Sequence, residues 1–381
     1  MTSRRRTAPE LCGGAAVLGR RGRQRTFIFE LTADCANACV FCYNIRHVCG
    51  ASEEELSAGR WIALAERLHA ETDFEEVALS GGEPLLHPGC EAIAAALDAM
   101  GVRVSLVTSG GGLDGERTRR LLEAGVGLFQ LPLHCADEAL HDALAGRRGA
   151  YADAARAFAE VFAAGGDAVG VCVVTDANVS RLREAAEAAF ALGARGMMVN
   201  RVNIGGRALA DWRTLLPEPA ALEAAFAELD AFCAETDFGA SASTVVPPCL
   251  VDMSRFRNVS AGFCPGDERD AYYTVGPNGV MRPCNHSRAT LGDATEESFG
   301  RLRRRPAASR YRRWSAPFCR GCPHEKTCRG GCPAAVEETF GRLDLPDPYV
   351  VAYRERAAAW RETIGAPVSA DEMKRLERAA A

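Results

Sequence analysis

The segment Cys35-Ala36-Asn37-Ala38-Cys39-Val40-Phe41-Cys42-Tyr43 directly follows the apolar run Thr26-Phe27-Ile28-Phe29-Glu30-Leu31. The spacing of its cysteines is CxxxCxxC. Three thiolates on one loop suit three irons of a four-iron cubane and leave the fourth iron open to another molecule. The alternative is a zinc knuckle that takes Cys49 or His47 as its fourth ligand.

Short β-rich runs alternate with Ala/Leu/Glu-rich stretches over residues 26–229. Six such runs, each followed by a helical pattern, predict parallel β-α units and an α/β fold. The helical stretches carry apolar stripes, for example Leu182, Ala185, Ala189 and Leu192, which we expect in the core. The predicted strands are residues 26–31, 75–80, 103–108, 127–133, 168–174 and 196–202.

A second motif, Ser80-Gly81-Gly82-Glu83-Pro84-Leu85, stands at the end of the second predicted strand. Its glycines leave backbone polar groups accessible, and Glu83 can accept a hydrogen bond from an ammonium group. Active sites of β/α barrels lie at the C-terminal ends of the strands, where this motif and the cysteine loop both fall. Their coincidence weakens the zinc alternative.

The two motifs together resemble those of the radical S-adenosylmethionine (radical SAM) superfamily. The resemblance implies a partial (β/α)6 TIM-like barrel and a 4Fe-4S cluster that binds S-adenosylmethionine. It assigns the cluster to Cys35, Cys39 and Cys42. It also implies that the following residues bind the cofactor: Gly81, Gly82, Glu83, Pro84, Thr108, Ser109, Thr175 and Asn178. For the last four of these, an ordinary turn explains the residue type equally well.

The end of the fourth predicted strand departs from the family pattern, because Pro132-Leu133-His134-Cys135 stands where many relatives have Ser-Leu-Asp-Gly or Ser-Leu-His-Gly. Arg147 or Arg148 could substitute for arginines that the family pattern has at positions 143 and 145. His134 and Cys135 lie where a strand residue would face substrate, so both are candidate catalytic residues. His286 is a third candidate, although a single histidine is more often structural.

Seven more cysteines lie in a Gly/Pro-rich segment with little periodicity: Cys249, Cys264, Cys284, Cys319, Cys322, Cys328 and Cys332. Such a segment buries little apolar surface and needs metals or cross-links to hold it. A four-cysteine zinc ribbon is one interpretation. The pattern over residues 249–350 also resembles the SPASM domain, which implies one or two auxiliary 4Fe-4S clusters. By that resemblance the first cluster takes Cys249, Cys264, Cys284 and Cys332, and the second takes Cys319, Cys322 and Cys328.

The second auxiliary cluster is one thiolate short in this grouping. Relatives supply a last cysteine, often in Asp-Pro-x-Cys, but this chain has Asp347-Pro348-Tyr349-Val350 and no cysteine after Cys332. We therefore expect a non-cysteine fourth ligand, an open iron or no occupancy. Asp344, Asp347 and His324 are the nearby candidate ligands.

Composition sets the remaining limits. The 381 residues are 48% hydrophobic and 25% charged, and the net charge of -5 gives no pull toward nucleic acid or an anionic membrane. With sixteen cysteines and no export signal, we expect a reducing, cytoplasmic compartment. The other cysteines, at positions 12, 49, 90, 135, 172 and 233, are interpreted as unligated thiols.

The predicted domains are a basic tail at 1–25, the barrel at 26–238, the SPASM segment at 245–350 and a helical end at 351–381.

Three functions fit these patterns. The first is a radical SAM enzyme that removes hydrogen from a peptide and forms a carbon–sulfur or carbon–carbon link. The second is a radical SAM enzyme of cofactor or small-molecule synthesis, of the modified-haem or quinone-cofactor type. The third is a non-enzymatic iron–sulfur electron carrier.

Two features bear on the partners. Sulfatase-maturing relatives carry an aspartate where this chain has Asn285, which cannot take a proton, so sulfatase maturation is disfavoured. With 25 residues before the first strand, we expect either that a separate protein recognises a leader or that the substrate is small. The resemblance further implies an electron donor such as flavodoxin or ferredoxin.

Overall fold

The computed structural model describes residues 26–44, 54–265 and 271–380. The predicted basic tail, Cys12, His47 and Cys49 lie outside these residues. Within them, no helix is both long and apolar enough to cross a membrane.

The first six strands are parallel neighbours in chain order and form the centre of one eleven-stranded sheet. They confirm the predicted α/β class, and the sheet is an open, partial barrel. Each observed strand lies within one residue of the predicted bounds. The strands are β1 (Thr26–Glu30), β2 (Glu76–Ser80), β3 (Arg103–Val107), β4 (Val126–Pro132), β5 (Ala168–Val174) and β6 (Gly196–Arg201).

Helices cover the sheet because their apolar stripes are buried against it. Leu182, Ala185 and Ala189 are buried as predicted, and Phe27 and Phe29 of β1 have no exposed surface. Alternate side chains of a strand point to the same face, so β1 carries a continuous apolar face. The barrel helices are α1 (Ala58–Thr72), α2 (Cys90–Ala99), α3 (Gly115–Glu123), α4 (Glu138–Ala145), α5 (Ala150–Ala163), α6 (Leu182–Ala191), α7 (Trp212–Leu215) and α8 (Pro219–Glu235).

The cysteine-rich segment extends the same sheet at both ends, with β7 and β8 beside β6 and with β9 parallel to β1. These strands are short, at two to four residues. They are β7 (Gly239–Ala242), β8 (Val259–Ala261), β9 (Tyr272–Val275), β10 (Val280–Arg282) and β11 (Gly292–Asp293). The domain bounds predicted above stay a prediction, since the sheet runs through them.

Two buried ion pairs fasten the barrel strands to this segment. Arg282 of β10 pairs with Glu30 at the end of β1, and Arg201 at the end of β6 contacts Asp347 at 2.6 Å. Both pairs are almost fully removed from solvent, so loss of one partner would leave a buried charge without its counter-ion.

The remaining helices are α9 (Phe299–Leu302), α10 (Pro306–Arg310), α11 (Pro333–Phe340), α12 (Pro348–Ala352), α13 (Arg354–Thr363) and α14 (Ala370–Ala380).

Candidate active site and cysteine clusters

Cys35, Cys39 and Cys42 lie on the loop that leaves β1, and all three side chains are partly exposed. Burial raises the pKa of each thiol, to about 12 for Cys39. Without a cation these groups therefore stay protonated, and a bound metal is what would convert them to thiolates. A loop that brings three such thiols together fits a cluster with three protein ligands.

Three neighbouring segments hold the cysteine loop by backbone hydrogen bonds. At the end of α4, Ala145 O accepts a hydrogen bond from Ala38 N at 3.1 Å, and Leu144 O accepts one from Val40 N at 3.0 Å. After β2, Glu83 N donates to Asp34 O at 2.6 Å, and after β6, Arg207 N donates to Cys42 O at 2.8 Å. The loop is thus fixed on three sides, which limits the movement of its thiols.

Glycines stand where these segments approach the loop most closely. A Cβ at Gly82 would lie 2.1 Å from Asp34 O, one at Gly146 would lie 2.2 Å from Ala38 O, and one at Gly206 would lie 2.6 Å from Cys42 O. Any side chain at these positions would push the loop away. Gly146 and Gly206 were not predicted as site residues, because a glycine carries no sequence signal of what it approaches.

Glu83 is buried and joins the ends of β2 and β3. Its Oε1 accepts hydrogen bonds from Leu85 N at 3.1 Å and Thr108 Oγ1 at 2.6 Å. Its Oε2 accepts from Ser109 N at 2.7 Å and from the Ser109 hydroxyl. A carboxylate has about four acceptor positions, and these contacts use them. An ammonium group would have to share them, so the predicted contact of Glu83 with S-adenosylmethionine stays a prediction.

Thr175 and Asn178 form a buried turn at the end of β5. Asn178 Oδ1 accepts from Thr175 N at 2.7 Å, and Asn178 Nδ2 donates to His134 O at 2.7 Å. The turn therefore fixes the end of β4. Their predicted role in cofactor binding stays a prediction.

His134 and Cys135 are both buried at the end of β4. His134 Nδ1 accepts from Val173 N at 3.2 Å, and its ring stacks on His141 at 5.1 Å between centroids. Burial lowers the pKa of His134 well below its usual value and that of His141 to about 4, so both are neutral near pH 7. Cys135 Sγ accepts from Asp137 N at 3.4 Å. These contacts account for both side chains, and their catalytic role stays a prediction.

Arg147 and Asn37 connect α4 to the cysteine loop. Arg147 donates to Asn37 Oδ1 at 2.5 Å and to Asp153 Oδ2 at 2.6 Å. Arg147 therefore holds the loop, and its predicted substitution for a cofactor-binding arginine stays a prediction.

A polar network links the cysteine loop to the second cysteine group. Asn285 Nδ2 donates to Tyr43 Oη at 2.7 Å, and Tyr272 Oη donates to Asn285 Oδ1 at 3.0 Å. The ring of His286 stacks on Tyr43 at 3.9 Å, and burial lowers the pKa of His286 to about 3. His286 Nδ1 also lies 2.9 Å from Asn203 Nδ2. Asn285 and His286 stand out in the sequence individually, but the sequence does not show that they contact Tyr43. The predicted catalytic role of His286 stays a prediction.

The seven C-terminal cysteines are divided between two cavities of about 340 and 450 Å³, volumes that include the solvent space at their openings. The smaller, cavity A, is lined by Cys249, Cys319, Cys322 and Cys328. The larger, cavity B, is lined by Cys264, Cys284 and Cys332. The predicted grouping is therefore wrong for Cys249, which lies with the later cysteines. The tight turn in which Leu250 N donates to Pro247 O at 2.9 Å directs this position toward them.

The three candidate fourth ligands have different surroundings. Asp347 bonds to Arg201 and to Cys332 N, which donates to it at 2.9 Å. Asp344 pairs with Arg342 and Arg375. Of the three, His324 is the one that lines cavity A. In the described part of the chain no three His, Cys, Asp or Glu side chains are gathered as around a single metal ion.

The structure is a partial parallel barrel with a three-cysteine loop after its first strand. The glycine-rich turn after the second strand packs against this loop, so three thiols lie at the C-terminal ends of the strands, where they could hold a metal cluster. The family model described as the radical SAM superfamily matches residues 29–189. The chain is similar to this superfamily over the segment that carries the cysteine loop, the glycine-rich turn and strands β2 to β5, which favours an enzyme over the non-enzymatic electron carrier.

Similar proteins span most of the chain. A PqqA peptide cyclase from Methylocella silvestris is 29% identical over 84% of this chain and 85% of its own length. One from Streptomyces rochei is 28% identical over 92% and 96%.

Solved structures show the same fold at lower identity. Streptococcus suis SuiB bound to precursor peptide SuiA has a TM-score of 0.67 at 14% identity, covering 86% of this chain and 76% of that one. The protein anSMEcpe with bound AdoMet has a TM-score of 0.66 at 14% identity, covering 90% and 98%.

Proposed function

We propose that this enzyme modifies a peptide, abstracting hydrogen from one residue so that a carbon–carbon or carbon–sulfur link forms. The observation that carries the proposal is the match to PqqA peptide cyclases across most of both chains. The smaller-molecule alternative has no comparable support among these relatives.

The residues after β1 and β2 fit the cofactors that this chemistry requires. Cys35, Cys39 and Cys42 would hold a 4Fe-4S cluster, and the turn of Gly81, Gly82 and Glu83 would hold S-adenosylmethionine beside it. When bound, the cluster supplies the electron that splits S-adenosylmethionine into methionine and a 5′-deoxyadenosyl radical.

The chain's own contribution is a rigid site. Three segments fix the cysteine loop, and Glu83 uses its carboxylate to fix the ends of β2 and β3. His134 and His141, at the C-terminal end of β4, are held neutral by burial, which lowers the pKa of both. Asn285 adds only neutral hydrogen bonds. A rigid site holds a reactive intermediate close to the hydrogen that it removes, which limits side reactions.

The proposed reaction also requires partners in the cell. An external one-electron donor such as flavodoxin or ferredoxin would reduce the cluster, and a separate leader-binding protein would deliver the peptide. Thiols that must bind iron favour the reducing cytoplasm.

The test uses anaerobically reconstituted enzyme with dithionite, S-adenosylmethionine and the PqqA peptide of Methylocella silvestris as the probe. We expect 5′-deoxyadenosine and a peptide lighter by about two hydrogens, since a new link between two residues removes one hydrogen from each. A variant with Cys35, Cys39 and Cys42 all changed to Ala should form neither product. Cys233→Ala replaces a buried cysteine of α8; it is the matched control and should retain both products.

Two results would overturn different parts of the proposal. Equal 5′-deoxyadenosine from wild type and the triple variant would end the assignment of the cysteine loop. Cleavage of S-adenosylmethionine with the peptide unchanged, and with a small-molecule product instead, would show that the substrate class is wrong.

A further inference from the structure

A short stretch of the cysteine-rich segment carries a dense positive charge on a protein whose net charge is -5. Residues 301–313 contain seven arginines and neither aspartate nor glutamate. They span the end of α9, all of α10 and the turn that follows it. A positive region on an acidic protein attracts an acidic partner to one place on its surface. These arginines are called the arginine patch: Arg301, Arg303, Arg304, Arg305, Arg310, Arg312 and Arg313.

Part of the charge of the arginine patch is not neutralised within the described chain. Two glutamates neutralise three of its arginines, in the pairs Arg301–Glu297, Arg305–Glu297 and Arg310–Glu337. Three others are exposed and have no described acidic side chain within ion-pair distance: Arg303, Arg304 and Arg313. Exposed charges that are not held in internal pairs are free to contact the carboxylates of a partner.

The arginine patch is held firmly on the protein. At the start of α9, Phe299 N donates to Glu71 Oε2 of α1 at 2.7 Å. After α10, the buried Arg329 donates to Tyr311 O at 3.3 Å and to Cys264 O at 2.7 Å. These bonds fasten both ends of the patch, so its charges occupy fixed positions. A surface that is ordered before binding favours one orientation of the docked partner.

The arginine patch is connected to the cysteine loop through cavity B. Arg312 of the patch lines this cavity together with Tyr272. Tyr272 Oη donates to Asn285 Oδ1 at 3.0 Å, and Asn285 Nδ2 donates to Tyr43 Oη at 2.7 Å. Tyr43 directly follows Cys42 of the cysteine loop. Because electron transfer weakens steeply with distance, a donor gains from docking where bonded side chains lead toward the loop.

We propose that the arginine patch is the docking surface for an acidic one-electron donor protein. The inference rests on the proposed function, which requires such a donor for the cluster on Cys35, Cys39 and Cys42. One electron leaves the reduced flavin or iron–sulfur group of the donor and enters that cluster, and no proton or covalent bond is exchanged. An acidic peptide substrate fits the patch less well, because a substrate must reach the cysteine loop itself, whereas the patch is joined to that loop through cavity B.

The first test measures binding without electron transfer, by titration calorimetry of the reconstituted full-length enzyme with oxidised flavodoxin and with oxidised 2Fe-2S ferredoxin. At least one of the two should bind. The patch variant carries Arg303→Glu, Arg304→Glu and Arg313→Glu, and it should bind that donor about tenfold or more weakly, because attraction becomes repulsion. Raising the salt from about 0.05 to about 0.5 M should weaken binding more for wild type than for the patch variant.

A control variant separates the position of the charges from the net charge. It carries three reversals at exposed arginines outside the patch, which change the net charge equally: Arg119→Glu, Arg257→Glu and Arg378→Glu. The control should bind the donor within about twofold of wild type. Equal weakening in the patch and control variants would overturn the proposal.

The second test compares two electron sources. With dithionite, which needs no docking, the patch variant and wild type should form 5′-deoxyadenosine equally. With the donor protein as the electron source, reduced by NADPH and its reductase, the patch variant should need about tenfold more donor for half-maximal formation and reach the same maximum. The proposal is overturned if neither donor binds wild type. It is also overturned if the patch variant binds the donor normally but loses affinity for the PqqA peptide, which would assign the patch to an acidic peptide.

These outcomes are separate from those of the proposed function. If donor binding depends on the patch but dithionite-driven enzyme leaves the peptide unchanged, the docking surface stands and the substrate class fails. If dithionite supports modification of the peptide but the patch variant binds the donor as wild type does, the substrate class stands and the docking surface fails.

Discussion

Gly146→Ala tests whether the end of α4 positions the cysteine loop. Gly146 closes α4 in the left-handed conformation, with φ of 63°. Gly341 closes α11 in nearly the same conformation, with φ of 66°, and no described atom lies within 4 Å of the position that a Cβ would take there. Ala at either position strains the backbone by about 1 kcal/mol. Gly341→Ala therefore isolates this strain and serves as the matched control.

The second contribution belongs to Gly146 and not to Gly341. A Cβ on Gly146 would lie 2.2 Å from Ala38 O, whereas ordinary contact begins near 3.4 Å, so the loop must shift by about 1 Å. That shift weakens the bonds from Ala38 N and Val40 N to α4, worth about 1 kcal/mol each. We expect Gly146→Ala to cost about 3 kcal/mol in total and Gly341→Ala about 1 kcal/mol.

Two measurements check this reasoning. Urea unfolding of the reconstituted proteins gives the free-energy difference between the variants. Iron content and 5′-deoxyadenosine formation report whether the loop still holds its cluster, and both should fall only in Gly146→Ala. If the two variants are equally stable and equally active, the loop is not positioned by this contact.

Three other substitutions probe the buried polar groups. Glu83→Gln should lower the free energy of urea unfolding by about 2 kcal/mol or more, because an amide oxygen cannot accept hydrogen bonds from all four donors. The control Glu91→Gln loses a partly exposed ion pair and should cost under about 1 kcal/mol. Equal losses in the two variants would contradict this reasoning. The pKa of His141 is lowered to about 4, so the unfolded chain binds its proton first as pH falls below about 6.5. Wild type should lose about 2 kcal/mol of stability between pH 6.5 and 5 that His141→Leu retains, and identical pH profiles would refute it. Arg201→Met leaves Asp347 charged and buried and should cost about 3–5 kcal/mol, most of it recovered by adding Asp347→Asn; no recovery would show that the arginine acts by packing.

The barrel was predictable because its signals are local. Each of the first six strands is a short apolar run followed by a helical stripe, and burial of Leu182, Ala185 and Ala189 follows the predicted spacing. The cysteine loop and the glycine-rich turn were also predictable, since each follows a strand and parallel strands end at the same edge.

The rest depends on contacts between distant residues. β9 pairs with β1 although most of the chain lies between them, and three or four residues carry too little pattern to predict a strand. The grouping of Cys249 failed for a related reason. Cysteine spacing shows which residues can share a cluster, but the turn after Pro247 determines which cavity the thiol enters.

The pairing of β9 with β1 also bears on how the protein is made. Thr26–Phe29 are joined in register to residues 272–275, so until the ribosome has released β9 the apolar strand β1 is an open edge. Such an edge can pair with another nascent chain and seed aggregates. A barrel fragment cut at residue 245 would keep that edge permanently, whereas a fragment reaching past residue 282 would cover it. Full-length synthesis thus protects the barrel through a strand that belongs, in sequence, to the cysteine-rich segment.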